Sequence, residues 1–316
     1  MSFLSRFGGG AAPLPSLSPQ RLTIDRFNLG SFEMLIMRLA FAAVAYFAIK
    51  WEVGSLHDAN PDKLTGIAHW INIDGFQHLE AIGLWKILTV IGLMIYAAGI
   101  LPALSLFPAL FFSIGIGTLA NSQGAINHST QLVSMILLGQ FLVYLIPLHF
   151  ASKLGPMSWI KPSLPVQQRA IYVSLVVFAA AYVVSGWTKL DRSDGEWIER
   201  VPMLALQLQK SNWSEYYDTL KPVPATLETV VSLMNEHPTL ARIFFGGGLF
   251  VELFAFLILI GRRWAFFYGL IIIVMHMSIS RLMQLDFWYH ILVALIFAVN
   301  VPGILKTFRR RNDLGL

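Results

Sequence analysis

The stretch AIYVSLVVFAAAYVVSGWTKLDRSDGEWIERVPM, residues 170–203, decides the fold. From Ala170 to Val184 it carries no charge. It then meets the small pair Ser185-Gly186, and Trp187, Lys189 and Asp191 follow. An uncharged apolar run closed by an aromatic, a lysine and a carboxylate is the pattern of a membrane helix reaching the lipid boundary.

The rest of the chain agrees with that reading. Of its 316 residues, 56% are hydrophobic and 13% are charged, about half the ~25% charge of a soluble domain. The mean hydropathy is +0.62. We therefore expect one all-α, polytopic membrane bundle. The net charge is +5, and the basic residues sit in short loops and tails. That distribution sets membrane orientation and gives no nucleic-acid surface. The chain has no cysteine, which excludes disulfides, thiolate metal sites and dithiol redox chemistry. No His-x-x-x-His pair, phosphate loop, dinucleotide fingerprint or nucleophile elbow is present, so no metal site is expected.

Eight spans are expected, at Phe32–Ile49, Ile82–Leu101, Ala103–Leu119, Gln131–Pro147, Ala170–Gly186, Ile243–Ile260, Trp264–Ser280 and Phe287–Leu305. A crossing takes about 20 apolar residues, so the shorter ones must tilt, bend or re-enter. Residues 1–30 read as a Gly/Pro/Ser-rich cytoplasmic tail, 31–305 as the membrane domain, and 306–316 as a basic tail. Between spans five and six lies an excursion, residues 188–242. Within it, EWIERVPMLALQLQK places Trp197, Val201, Leu204 and Leu208 at helical spacing, as an amphipathic lid on the bundle end or on headgroups would.

Orientation follows from the short loops. With both termini cytoplasmic, Lys153, Lys161, Arg169, Arg262 and Arg263 all fall inside. The uncharged segment NSQGAINHST (121–130) and the excursion fall outside. Helical rise of about 1.5 Å per residue then gives depth. His128, Lys189, His276, Asp286 and His290, on four spans, reach one level at the outer end. Ionisable groups inside a membrane are costly and face a cavity or a partner.

Each has a plain structural reading as well. Lys189 can snorkel to headgroups, His128 can cap a helix, and His276 can bond a neighbouring helix. Glu33 and Arg38 read as structural, satisfying each other or other helices near the inner face. Glu252, placed about 15 Å deep in span six, must be protonated or paired.

Five segments, in order over Phe32 to Val301, resemble the membrane domain of vitamin K-dependent γ-carboxylases and its stand-alone bacterial relatives, the HTTM family. They are MLIMRLAFAAV (34–44), INHSTQL (126–132), TKLDRSDGEWIERVPM (188–203), FFGGGLFVELFAFLILIGRRW (244–264) and VMHMSISRLMQLDFWYHILV (274–293). The resemblance implies a multi-pass protein of a bacterial inner membrane. It also implies a reduced vitamin K or other quinol as cofactor, Lys189 as the general base and His128 as its catalytic companion. Asn127, Trp187, His276 and Asp191 would line the quinone-binding site. Oxygen and CO₂ enter only if the carboxylase chemistry is retained, and a peptide or protein substrate only on the same condition.

The departures weigh against peptide carboxylation. Thr188 stands where the family has the first lysine of its pair, residues 193–195 lengthen the Asp-to-Trp spacing, and the chain ends at Leu316 without the family's large C-terminal region. The other reading is a non-catalytic subunit, transporter, or peptide-export or immunity component on the same fold. No internal repeat with paired interrupted helices speaks for transport. Membrane lipid is the surrounding partner in either case.

Overall fold

A computed structural model of the chain describes residues 29–55, 64–69, 76, 78–122, 128–149 and 160–304. The expected tails except residues 29 and 30, residues 150–159 with Lys153, and Asn127 lie outside the described residues. Among the described residues every element is helical. Helices α1 (Ser31–Ser55), α2 (Leu79–Ala97), α3 (Pro102–Asn121), α4 (His128–His149) and α5 (Leu164–Arg192) come first. Two short elements follow, α6 (Trp197–Arg200) and a 3₁₀ turn at Val201–Met203. Then come α7 (Leu204–Thr219), α8 (Ala225–Glu236), α9 (Pro238–Leu253) and a 3₁₀ segment, Ala255–Ile260. Helix α10 (Arg262–Met283), α11 (Trp288–Val293) and a π-helical segment, Ala294–Ala298, follow, and a last helical turn at residues 301–304 closes the described chain.

Six helices, α1 to α5 and α10, are long and apolar enough to cross a membrane, where eight spans were expected. The outward faces of these helices carry apolar stripes. On α2, Leu84, Ile87, Ile91 and Met94 are exposed; on α3, Leu104, Phe107, Phe111 and Ile114; on α10, Phe267, Ile271 and Val274. Spacings of three and four residues put each set on one helical face. Apolar faces of this extent require hydrocarbon, and the protein is a multi-pass membrane protein.

The two remaining expected spans are interrupted. The sixth begins as α9, starting at Pro238 in the excursion, and turns into the 3₁₀ segment before Gly261. The eighth begins as α11 and widens into the π segment, where Val299 N–H bonds the Ala294 carbonyl at 2.9 Å. Asn300, at φ 54°, ends it. Irregular backbone at membrane depth survives only where protein covers it. Ala255, Ile258, Val293 and Ala294 are accordingly fully buried, packed against α5 and α10.

Polar groups tie the bundle internally. Tyr96 Oη donates to Gln140 Oε1 at 2.5 Å, and Gln140 Nε2 to Ser174 Oγ at 2.9 Å, joining α2, α4 and α5. Glu33 and Arg38 are satisfied by other helices and not by each other. Glu33 accepts from Arg262 at 2.7 Å and from Gly30 N–H at 2.7 Å. Arg38 reaches Gln167 and the Ala97 carbonyl.

The excursion is shorter than expected at its start, because α5 runs on as helix through Arg192. The expected lid helix is also broken. Pro202, which has no N–H to donate, sits in the 3₁₀ turn between α6 and α7. Its buried face survives the break. Val201, Ala205 and Leu208 pack on Leu227, Val231, Met234 and Ala241 as a second, small core. Asn212 Nδ2 clamps that core to the bundle by donating to the Leu282 carbonyl at 2.8 Å.

Candidate functional site

On α5, the residues Phe178, Tyr182 and Gly186 recur at four-residue spacing, are buried, and lie on one face with Lys189. Gly186 lets α9 come close. A Cβ there would stand 3.1 Å from Glu252 Cβ and from Leu253. The close approach brings Glu252 to Lys189, whose Nζ donates to both carboxylate oxygens at 2.5 Å. Glu252 is buried, while the Lys189 side chain is 34% exposed. Lys189 Nζ also lies 5.5 Å from the Trp197 ring centre, a cation–π distance.

Glu252 is thus not an isolated mid-membrane carboxylate. Its helix enters from the excursion, which shifts it to the level of Lys189.

Two turns down the same face, Tyr182 Oη lies 2.5 Å from His276 Nε2. His276 is buried, and its ring stands 5.0 Å from that of His290 and 4.6 Å from Phe287. His290 Nδ1 meets Ser129 Oγ at 3.5 Å, and the same hydroxyl accepts from Tyr289 N–H at 3.3 Å. The next residue, Thr130, donates to the buried Glu52. Five elements, α1, α4, α5, α10 and α11, therefore meet in one polar cluster, with α9 adding the carboxylate. One atom at its centre is unsatisfied: His276 Nδ1 is buried and has no hydrogen-bond partner among the described residues. A buried orphan of this kind is rare.

The residues expected at the site divide. Lys189 and His276 belong to the cluster. His128 opens α4 one residue before Ser129 and is exposed, with Nδ1 3.3 Å from Gln131 Oε1. It stands at the rim and does not line the same interior as His276. Trp187 is 66% exposed; its α5 position turns it away from the face that carries Tyr182 and Lys189. Asp191 is exposed, and the carboxylate on Lys189 is that of Glu252. Asp286 is spent on its own turn, accepting from Trp288 N–H at 3.0 Å.

Sequence reasoning did not place Tyr182, Glu252, Ser129 or Phe287 in the site. Tyr182 was within reach, since it lies seven residues before Lys189 on the same face. Glu252, a lone carboxylate in an apolar run, demanded a partner, but its expected depth of about 15 Å did not single out Lys189 at the outer boundary.

No protein-family model, no curated protein and no solved structure matches this chain.

Proposed function

We propose that this membrane protein is an enzyme that binds a reduced quinone, or a related lipophilic hydroxyl-bearing substrate, at the Lys189 end of the bundle, with Lys189 as the general base. The observation that carries the reading is Lys189, one-third exposed and paired with the buried Glu252 of α9, on one face of α5 with Tyr182 and its His276–His290 cluster. The motif resemblance in five segments supports it independently. Positive-inside loop charge supports an orientation with this end outside the cytoplasm and both termini inside; the bacterial inner membrane follows from the resemblance alone.

The residues of the cluster are of the kinds that meet such a ligand, but their rings pack on one another, so a quinone would enter only by parting them. Phe287, Tyr182 and the two imidazoles supply aromatic rings, and His276 Nδ1 is the polar atom without a partner among the described residues that a ligand oxygen would meet. When bound, a reduced quinone supplies a hydroxyl proton and two electrons for an oxidant such as dioxygen.

The protein's own part is proton handling. A carboxylate in contact with an ammonium favours the charged lysine, so Lys189 acts as base only if Glu252 takes the proton that Nζ shares with it and leaves the amine to accept the substrate proton. The exposed third of Lys189 gives that proton a way out to water. Tyr182 holds the His276 ring through Nε2 and leaves Nδ1 without a partner among the described residues. Carboxylation of a glutamyl peptide with CO₂ remains a further step that these residues by themselves do not require.

The pair also favours a second reading, a non-catalytic membrane subunit or transporter in which Glu252 fixes a permanently charged Lys189 as a helix clamp. The test is oxygen-dependent oxidation of a reduced short-chain naphthoquinone by the protein in lipid nanodiscs. Lys189→Arg keeps the ion pair and the charge but cannot give up its proton. We expect it to fold and to lose about 10²–10⁴ in rate. Full activity in Lys189→Arg, or no acceleration and no retained quinone in the wild type, leaves the clamp as the better account.

A further inference from the structure

A cavity of about 240 Å³ lies at the other end of α5. Ile171 and Leu175 of α5 line it, and Ile171 is eighteen residues from Lys189, about 27 Å along the helix. It is therefore separate from the polar cluster. Met37, Phe267 and Phe297 close the sides, and Arg262 and Arg263 stand at its polar margin. Apart from the two arginines and Asn300, whose amide bonds Glu33, the lining is apolar.

The two arginines differ. Arg262 is committed to Glu33 at 2.7 Å, and Asn300 Nδ2 supports the same carboxylate oxygen at 3.4 Å. Arg263 is exposed, and among the described residues it has no ion-pair partner. The Glu33 charge is thus balanced, and one full positive charge is left beside an apolar hollow. The volume is below the 300–1,000 Å³ or so of pockets that enclose a whole ligand, so an occupant inserts only part of itself. An anion with a hydrocarbon tail meets both conditions. The hollow also sits where the Gly261-Arg262-Arg263 turn joins two apolar segments, the level at which phospholipid headgroups lie.

We propose that this cavity is a binding site for an anionic phospholipid, with one acyl chain between α5 and α10 and the phosphate on Arg263. Attraction to an anionic surface is worth about 1 kcal/mol per arginine, so loss of Arg263 should weaken retention about fivefold.

The test uses the full chain in detergent and follows melting temperature and native mass spectra. The probes are phosphatidylglycerol, phosphatidylcholine and inorganic phosphate. Expected results are a rise in melting temperature and a retained lipid with phosphatidylglycerol only. Both should fall in Arg263→Gln, a surface change that leaves the Arg262–Glu33 pair intact. Both should also fall in Ala265→Leu, which fills the hollow at a buried lining position. Should Ala265→Leu fail to fold, the Arg263→Gln comparison decides alone. Equal effects of phosphatidylcholine, or a phosphatidylglycerol effect unchanged in Arg263→Gln, would overturn the proposal. So would the same stabilisation by inorganic phosphate, which would mark a plain anion site.

Discussion

At the scale of single residues, the chemistry of the Lys189 end rests on asymmetry within one ion pair. Glu252 is almost wholly buried and Lys189 is one-third exposed. Removing the lysine strands a carboxylate in a low-dielectric interior, which costs about 3–5 kcal/mol when the pair is deeply buried and less here because water reaches Lys189. Removing both charges is often near neutral. Lys189→Met should therefore lower the melting temperature of the detergent-solubilised protein. The double variant Lys189→Met/Glu252→Leu should recover most of the loss. A double variant as unstable as the single one would mean that Glu252 is held by groups other than Lys189.

Gly186 has the same origin. Its missing Cβ is what allows α5 and α9 to approach closely enough for the pair to form.

At the scale of elements, close approach recurs between α2 and α3. The turn between them passes through Gly99 at φ 75° and Leu101 at φ 47°, and Gly92 faces the Ser105 carbonyl with no room for a Cβ. Small residues at membrane helix contacts allow backbones to meet where no hydrophobic force drives them together. Gly92→Ala should therefore push α2 from α3 at a cost of about 1–3 kcal/mol, read as a lower melting temperature. Gly83→Ala serves as the control, because nothing lies within 4 Å of its added Cβ. If both variants melt alike, the contact at Gly92 is looser than described.

The interrupted segments obey the complementary rule. The π run at Ala294–Ala298 lies inside the bundle, and the 3₁₀ run at Ala255–Ile260 buries Ala255 and Ile258 there while Phe256 and Ile260 stay exposed on its outer side.

At the scale of the whole molecule, two cores face different surroundings. The large one joins the membrane helices, and the small one belongs to the excursion. Asn212 and the Arg242–Glu199 pair at 2.9 Å bind the excursion together and to the bundle. The proposed orientation puts this small core outside. The absence of native cysteine makes it measurable with single exposed cysteines and an impermeant maleimide in intact cells. Ser214→Cys, on exposed α7, should label directly. Ser163→Cys, exposed just before α5, should label only after permeabilisation. The reverse pattern would invert the orientation and place the Lys189 cluster on the cytoplasmic side.

The sequence alone determined the class of the protein and the course of its long helices, and it set an expected depth for each polar residue that failed for Glu252. Hydrophobic runs are local, and helical rise turns residue count into distance. Lys189, His276 and His290 could therefore be put at one level before any fold was known. Tertiary structure decided what each polar group meets. Lys189 and Glu252 are 63 positions apart in sequence, and their contact depends on Gly186 and on the angle at which α9 enters. Trp187 faces outward because rotation about α5 is set by packing. The interruption of two expected spans was equally hidden, since apolar composition reports burial in hydrocarbon and burial in protein with the same signal. Depth is a property of one helix, whereas convergence is a property of several.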